Sequence, residues 1–171
     1  PSALPSLKYP SGEGYLSDGR AEGLDLAVGR VPVETPAEAQ QMVDKLIHYN
    51  RIESFGDWRQ YITIIGDDGD NNVHQSSADK VAGYAQSAEP GLNLNKLYLD
   101  AYEKKIVDGV PAYPDVHDEL IRIIDRGCLI VNYSGHGGPY QWAHEKIFDI
   151  TDIDNLKNYN HLPIFMAATC D

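Results

Sequence analysis

Two short segments of this sequence carry residue types able to make and break an acyl bond. Ser134-Gly135-His136-Gly137-Gly138 sets a histidine among glycines, and Ala168-Thr169-Cys170 delivers a cysteine 34 residues after it. A thiolate attacks carbonyls well, an imidazole can protonate the departing amine, and crowded backbone N–H groups can hold the developing oxyanion. Gly137 and Gly138 suit the last task, because backbone without a Cβ can approach a substrate closely. The polar stretch Asp67-Asp68-Gly69-Asp70-Asn71-Asn72 adds carboxylates. Each residue also has a plainer reading. His136 could cap a helix or bond a carbonyl, Cys170 could be a small buried hydrophobe, and the aspartates could be turn residues bonding local amides. Cys128, which begins an apolar run, reads as core.

The elements that must position these residues follow from hydrophobic periodicity. Leu24 to Val31 alternates like a short strand. Thr35-Pro36-Ala37-Glu38 starts a helix: a capping hydroxyl, a proline at the first helical position, and a glutamate able to reach back to a free amide. Ala39, Met42, Val43, Leu46 and Ile47 share one face of it, predicted to pack, and the helix fades near Phe55-Gly56. Tyr61 to Gly66 is a β-branched run fit for a strand covered on both faces, and it empties into the Asp-Asn loop. A weaker helix is expected from about Ser77 to Ala88 and a strand from Leu92 to Leu99. Pro114 opens an amphipathic helix that Gly127 stops. Cys128 to Tyr133 is a buried strand leading to His136, a short helix covers Asp152 to Tyr159, and a last strand runs from Leu162 to Thr169. Strands alternating with amphipathic helices predict an α/β fold with a mostly parallel sheet flanked by helices. In such sheets ligands bind beyond the carboxyl ends of the strands, which is where the loops after Gly66, Tyr133 and Thr169 lie.

Composition narrows the partners. The chain has 171 residues, enough for a substantial core, and a net charge of −12, which repels phosphate backbones and anionic headgroups. Nucleic acid is therefore not an expected partner. Two cysteines give no disulfide framework, no apolar run is long enough for a membrane span, and Pro1 to Pro5 lacks the features of a signal peptide. His74, His136 and His144 with a nearby aspartate are of types that suit zinc, but no spacing matches a short zinc motif, and a zinc hydrolase is set aside. The loop from Asp68 imitates an EF-hand loosely, with Val73 in place of the turn glycine and Asp79 in place of the bidentate glutamate. His48, His117 and His161 read as structural.

Asn132 to Gly138 and Ala168-Thr169-Cys170 resemble the two active-site segments of the gingipain family of cysteine peptidases, in the caspase-like clan. The resemblance extends through Val28 to Val33, Ile47 to Asn50, Trp58 and Ile64 to Gly69. Gly66-Asp67-Asp68, Asn72-Val73-His74, Ala78-Asp79, Tyr98 to Tyr102 and Trp142 to Glu145 most resemble the PorU-type branch, the sortase-like peptidases of the bacterial type IX secretion system. The resemblance implies a caspase-like (flavodoxin-like) fold, with residues 1–23 as an irregular edge or remainder of an upstream subdomain. Residues 24–171 would then be the peptidase domain, a fragment ending just after the nucleophile.

By the same resemblance Cys170 is the nucleophile, His136 the general acid/base, and the amides of Gly137 and Cys170 the oxyanion hole. Asp68 stands where arginine-specific members have a glutamate that assists the histidine. Asp79 stands where they place the acid that holds a basic P1 side chain. Apart from the resemblance, Trp142 and His144 are candidates to line the substrate cleft, with a solvated loop pair the plainer reading of His144-Glu145. No cofactor is implied as required, with calcium a structural ion in the family and no ligands assignable here. Implied partners are a polypeptide substrate, other type IX secretion components, and anionic lipopolysaccharide as acceptor for cargo freed of its C-terminal signal domain. The implied location is the extracellular or outer-membrane surface of a bacterium. Hydrolysis and transpeptidation stay open, as does a non-catalytic peptide-binding or scaffolding module that keeps the fold.

Overall fold

The computed structural model describes residues 30–169. Residues 1–29, which include most of the strand expected from Leu24 and the expected irregular edge, and Cys170 and Asp171 lie outside the described residues. The described end of that expected strand, Arg30 and Val31, has no strand structure. The chain divides into two units, residues 1–43 and 44–171, with the boundary inside the first helix.

That helix, α1 (Pro36–Tyr49), begins as its sequence dictates. The Glu38 N–H donates to Thr35 Oγ1 (3.2 Å), while the Glu38 carboxylate reaches back to the Glu34 N–H (2.8 Å). Its apolar face differs from expectation: no residue of α1 is buried, and Val43, Leu46 and Ile47 are about half exposed. Helical periodicity shows that a face is apolar, not that a partner covers it.

The second unit is built on β1 (Tyr61–Gly66), α2 (Val73–Ala88), β2 (Asn93–Tyr98), the hairpin β3 (Lys105–Val107) and β4 (Val110–Ala112), α3 (Pro114–Arg126) and β5 (Ile130–Ser134). There follow β6 (Gly137–Gly138), β7 (Gln141–Trp142), β8 (Phe148–Asp149), α4 (Ile150–Asn155) and β9 (Ile164–Ala168). The main sheet has the order β2-β1-β5-β9, every pair parallel. β1 is covered on both faces because its side chains alternate. Ile62 and Ile64 pack with Ala78 and Ala82 of α2, whereas Ile65 joins Leu120, Ile123 and Ile124 of α3 beside Val131 and Tyr133. Cys128 is fully buried, as its apolar setting implies.

α3 stops where Gly127 takes φ 104°, a conformation L side chains rarely adopt. A Cβ there would also come within 2.8 Å of Trp58 and His161. Three helix boundaries differ from the sequence reading, the first being α1, which ends at Tyr49 rather than near Phe55-Gly56. α2 starts at Val73 rather than Ser77, because polar His74, Gln75 and Ser76 hide a first turn that has little to bury. α4 covers 150–155 rather than 152–159, fixed by a capping box in which Asp149 accepts from Thr151 N (2.7 Å) and Asp152 accepts from Asp149 N (2.8 Å). His117 Nε2 lies 2.9 Å from Asp152 Oδ1 and ties α3 to α4, a structural use.

From β1 the chain moves to β2 on one side, then crosses back to β5 on the other. The carboxyl ends of β1 and β5 therefore flank the point where strand order reverses, the place where open α/β sheets bind ligands. Asp67 follows β1, and Gly135-His136 follows β5.

Candidate active site

His136 is fixed from both sides of its ring. Its Nδ1 lies 2.9 Å from Asp67 Oδ2, and its backbone N–H donates to the same oxygen at 2.8 Å. Its Nε2 lies 3.0 Å from Asp70 Oδ2. Carboxylates only accept, so the ring donates from Nδ1 to Asp67, and the nearby Asp70 carboxylate favours a second proton on Nε2. The hydrogen bond to Asp67 accordingly raises the His136 pKa, partial burial opposes it, and the charges of Asp67, Asp70 and Asp68 add to the rise.

Asp67 is 1% exposed and fully engaged. Its N–H donates to Ser134 O (3.0 Å) and its Oδ1 accepts from Asp68 N (2.9 Å). The Tyr133 hydroxyl donates to His136 O at 2.6 Å and sits 3.1 Å from Asp67 Oδ2. Burial, reinforced by Asp67, pushes the Tyr133 pKa up and keeps it a donor. This close assembly needs Gly135, where a Cβ would overlap both Asp67 Cβ and the Tyr133 ring. Gly135→Ala is expected to cost about 1–3 kcal/mol through overpacking, read as a drop of several degrees in Tm. An unchanged Tm would contradict that packing.

The segment before Cys170 meets the histidine loop. Gly135 N–H donates to Ala168 O (3.2 Å), and a Cβ on Gly137 would come within 2.8 Å of Thr169. Gly137 pairs with Trp142 across the β6–β7 ladder. Ala143 N–H donates to His136 O (2.9 Å), one half of a hydrogen-bonded pair whose other donor, the His136 N–H, goes to Asp67 instead. In an antiparallel ladder the next pair is not hydrogen-bonded, which turns the Gly137 N–H away from β7.

The other carboxylate of the loop is used differently. Asp68 Oδ2 meets Lys104 Nζ (2.5 Å) and accepts from the Tyr113 hydroxyl (2.9 Å), and Lys104 Nζ also donates to Glu145 Oε1 (2.8 Å). Burial alone would raise the Asp68 pKa, but Lys104 and Tyr113 hold it below its usual value. Asp67, Asp68 and Glu145 bring three carboxylates together. The Lys104 ammonium sits between two of them.

Asp79 lies on the exposed side of α2, where it accepts from Lys96 Nζ (2.6 Å) and the Tyr98 hydroxyl (2.9 Å). His136 is not among its partners. A shallow depression borders it, lined by Asp79, Ala82, Gly83, Leu92, Leu94 and Lys96. The His144 ring stands 4.9 Å from that of His136. Trp142 stacks on Tyr133 (4.8 Å, 6°), lies against Phe148 and pairs with Gly137 across the small sheet. Cys170 lies outside the described residues.

In the sequence Asp67 reads as one of several loop carboxylates or as a turn residue, with Asp68 taken as the partner of the histidine, although one signal singles Asp67 out. Extending the alternation of β1 by two residues from Ile65 puts Asp67 on the face that carries Tyr133. Asp70 and His74 were likewise not joined to His136 by any sequence spacing. Asp70, Asn71 and Asn72 all take positive φ (45°, 54° and 63°), a reversal that turns Asp70 toward both imidazoles.

A family model described as Peptidase family C25 matches residues 2–171. Gingipain R2 of Porphyromonas gingivalis is 28% identical over 148 residues, covering 85% of this chain and 19% of that protein. Gingipain R1 of Porphyromonas gingivalis is 28% identical over the same length, covering 85% of this chain and 14% of its own. The chain thus spans only a minor part of these relatives. The crystal structure of the Arg-specific cysteine proteinase gingipain R is similar, with a TM-score of 0.55 and 22% identity over 79% of this chain and 30% of that one. That likeness bears on the fold, and it agrees with a caspase-like α/β arrangement.

Proposed function

The chain belongs to peptidase family C25, and from that premise we propose that it carries the Cys-His centre of a gingipain-type cysteine endopeptidase acting on polypeptides. The observation that carries the reading is the contact of Thr169, which precedes Cys170, with Gly137, which follows His136. In this mechanism the Cys170 thiol gives its proton to His136, and the thiolate attacks the scissile carbonyl carbon. The oxyanion is held by the N–H groups of Gly137 and Cys170. His136 then protonates the departing amine from Nε2, leaving a thioester that water cleaves with His136 as base.

Asp67, rather than Asp68, is the third member. It holds the Nδ1 proton and stabilises the imidazolium, whereas Asp68 is taken by Lys104 and Tyr113. Asp79 would hold a basic P1 side chain in the place Lys96 now fills, with His144 and Trp142 near the cleft. In the sortase-like form of the reaction, an amine on a second substrate replaces water, and cargo freed of its C-terminal signal domain is transferred to anionic lipopolysaccharide at the bacterial surface. The support for that form is the sequence resemblance of Trp142 to Glu145 and its companions. Among the described residues no helix is long and apolar enough to cross a membrane.

The test is to incubate the full-length protein with a diverse peptide library, before and after alkylation, and to read products by mass spectrometry. Loss of cleavage is expected to track labelling of Cys170, with Cys128 unlabelled because burial removes access and pushes its thiol pKa up. Carboxyl products indicate hydrolysis and amine adducts transpeptidation. Cleavage that survives complete labelling of Cys170 overturns the reading. No cleavage by folded protein favours the peptide-binding module instead.

A further inference from the structure

His74 has no part in the acyl-transfer reaction, yet it stands at the edge of the same histidine. The first turn of α2 brings its ring to 4.8 Å from the His136 ring, nearly edge to face at 73°. Asp70 Oδ2 bridges the two, 3.0 Å from His136 Nε2 and 3.3 Å from His74 Nε2. One donor atom from each of the three residues lies within 4.8 Å of the others. Zinc bonds to imidazole nitrogen and carboxylate oxygen at about 2.0–2.1 Å, so neighbouring ligand atoms of a tetrahedral site are about 3.3 Å apart. Two of the three edges are therefore already near the length a tetrahedral ion requires.

The surroundings fit the same ion. His136 Nδ1 is held by the buried Asp67 carboxylate, the outer-shell contact that orients a ligating imidazole and raises its basicity. Two imidazoles with one carboxylate favour zinc over calcium or magnesium, which prefer all-oxygen sites. We propose that Asp70, His74 and His136 form a zinc site, with water as fourth ligand, and that zinc there reversibly silences the catalytic histidine. Binding takes up the Nε2 lone pair of His136, the atom that exchanges protons during acyl transfer. The inhibitory consequence rests on the peptidase reading, and the binding itself does not.

The two parts separate in one set of experiments on the full-length protein. Calorimetric titration with Zn²⁺, in calcium-containing buffer, is expected to show a site that survives Cys170→Ala. It should weaken at least about tenfold in His74→Ala and in Asp70→Asn, each checked for native circular dichroism. Co²⁺ at the site should give the visible absorption of a tetrahedral ion, absent in His74→Ala. Zinc should suppress peptide cleavage by the wild type and a chelator restore it, while His74→Ala cleaves as the wild type does and resists the same zinc. Zinc affinity or inhibition unchanged by His74→Ala and Asp70→Asn overturns the site. His74-dependent binding to a protein that cleaves nothing would uphold the site and remove only the peptidase reading.

Discussion

Asp67→Asn is expected to lower kcat for peptide cleavage by roughly 10²–10⁴-fold with KM little changed, whereas Asp68→Asn should cost less than about tenfold. The difference follows from what each carboxylate touches. Asparagine at position 67 can still accept a hydrogen bond but can no longer balance an imidazolium, and its amide can turn to the histidine and favour the wrong tautomer. Asp68 faces Lys104 and Tyr113, so its loss leaves His136 held. A reversed ranking would return the third position to Asp68.

The same substitution has a pH signature. The folded-state pKa of His136 is raised above its ordinary value, chiefly by Asp67. A raised pKa means that the protonated ring is favoured on folding. The resulting stability is present in full below the unfolded-state pKa, about 6.5, and fades as pH rises through the higher folded value. The stability gap between wild type and Asp67→Asn should therefore narrow over that window, leaving the pH-independent loss of the bonds from His136 N and Asp68 N. NMR titration of His136 should show its pKa fall in the variant. An unmoved His136 would mean that Asp67 does not act through the ring.

The sheet was legible because its signals are periodic. The β-branched run of β1, the capped start of α1 and the proline-to-glycine bounds of α3 each tie one local pattern to one element. The two small antiparallel sheets were not, since strands of two or three residues contain too few alternations to register. His136 stood out for its glycines, and Gly135 and Gly137 have steric reasons to be there. The choice between Asp67 and Asp68 was illegible for a different cause. Adjacent residues at a strand end point in different directions, and which one meets the histidine depends on Lys104, more than thirty residues away in sequence, claiming the other. Asp79 shows the same limit, because only the fold reveals that Lys96 already occupies it.

His136→Ala and Cys170→Ala should each lower kcat by roughly 10⁶-fold, and the double variant should be no worse than either alone. Such non-additivity is the mark of residues that act as one unit, since a thiol without its base and a base without its nucleophile are equally idle. The structure gives the reason to expect it. Gly135 N–H donates to Ala168 O and Thr169 lies close against Gly137, so the histidine loop and the strand leading to the cysteine meet at one end of the sheet. Retained folding in all three proteins, seen as an unchanged near-ultraviolet spectrum, keeps the comparison to chemistry. Effects that multiply, with the double variant falling well below both singles, would mean that His136 and Cys170 act in separate steps or sites, and the paired mechanism would be lost.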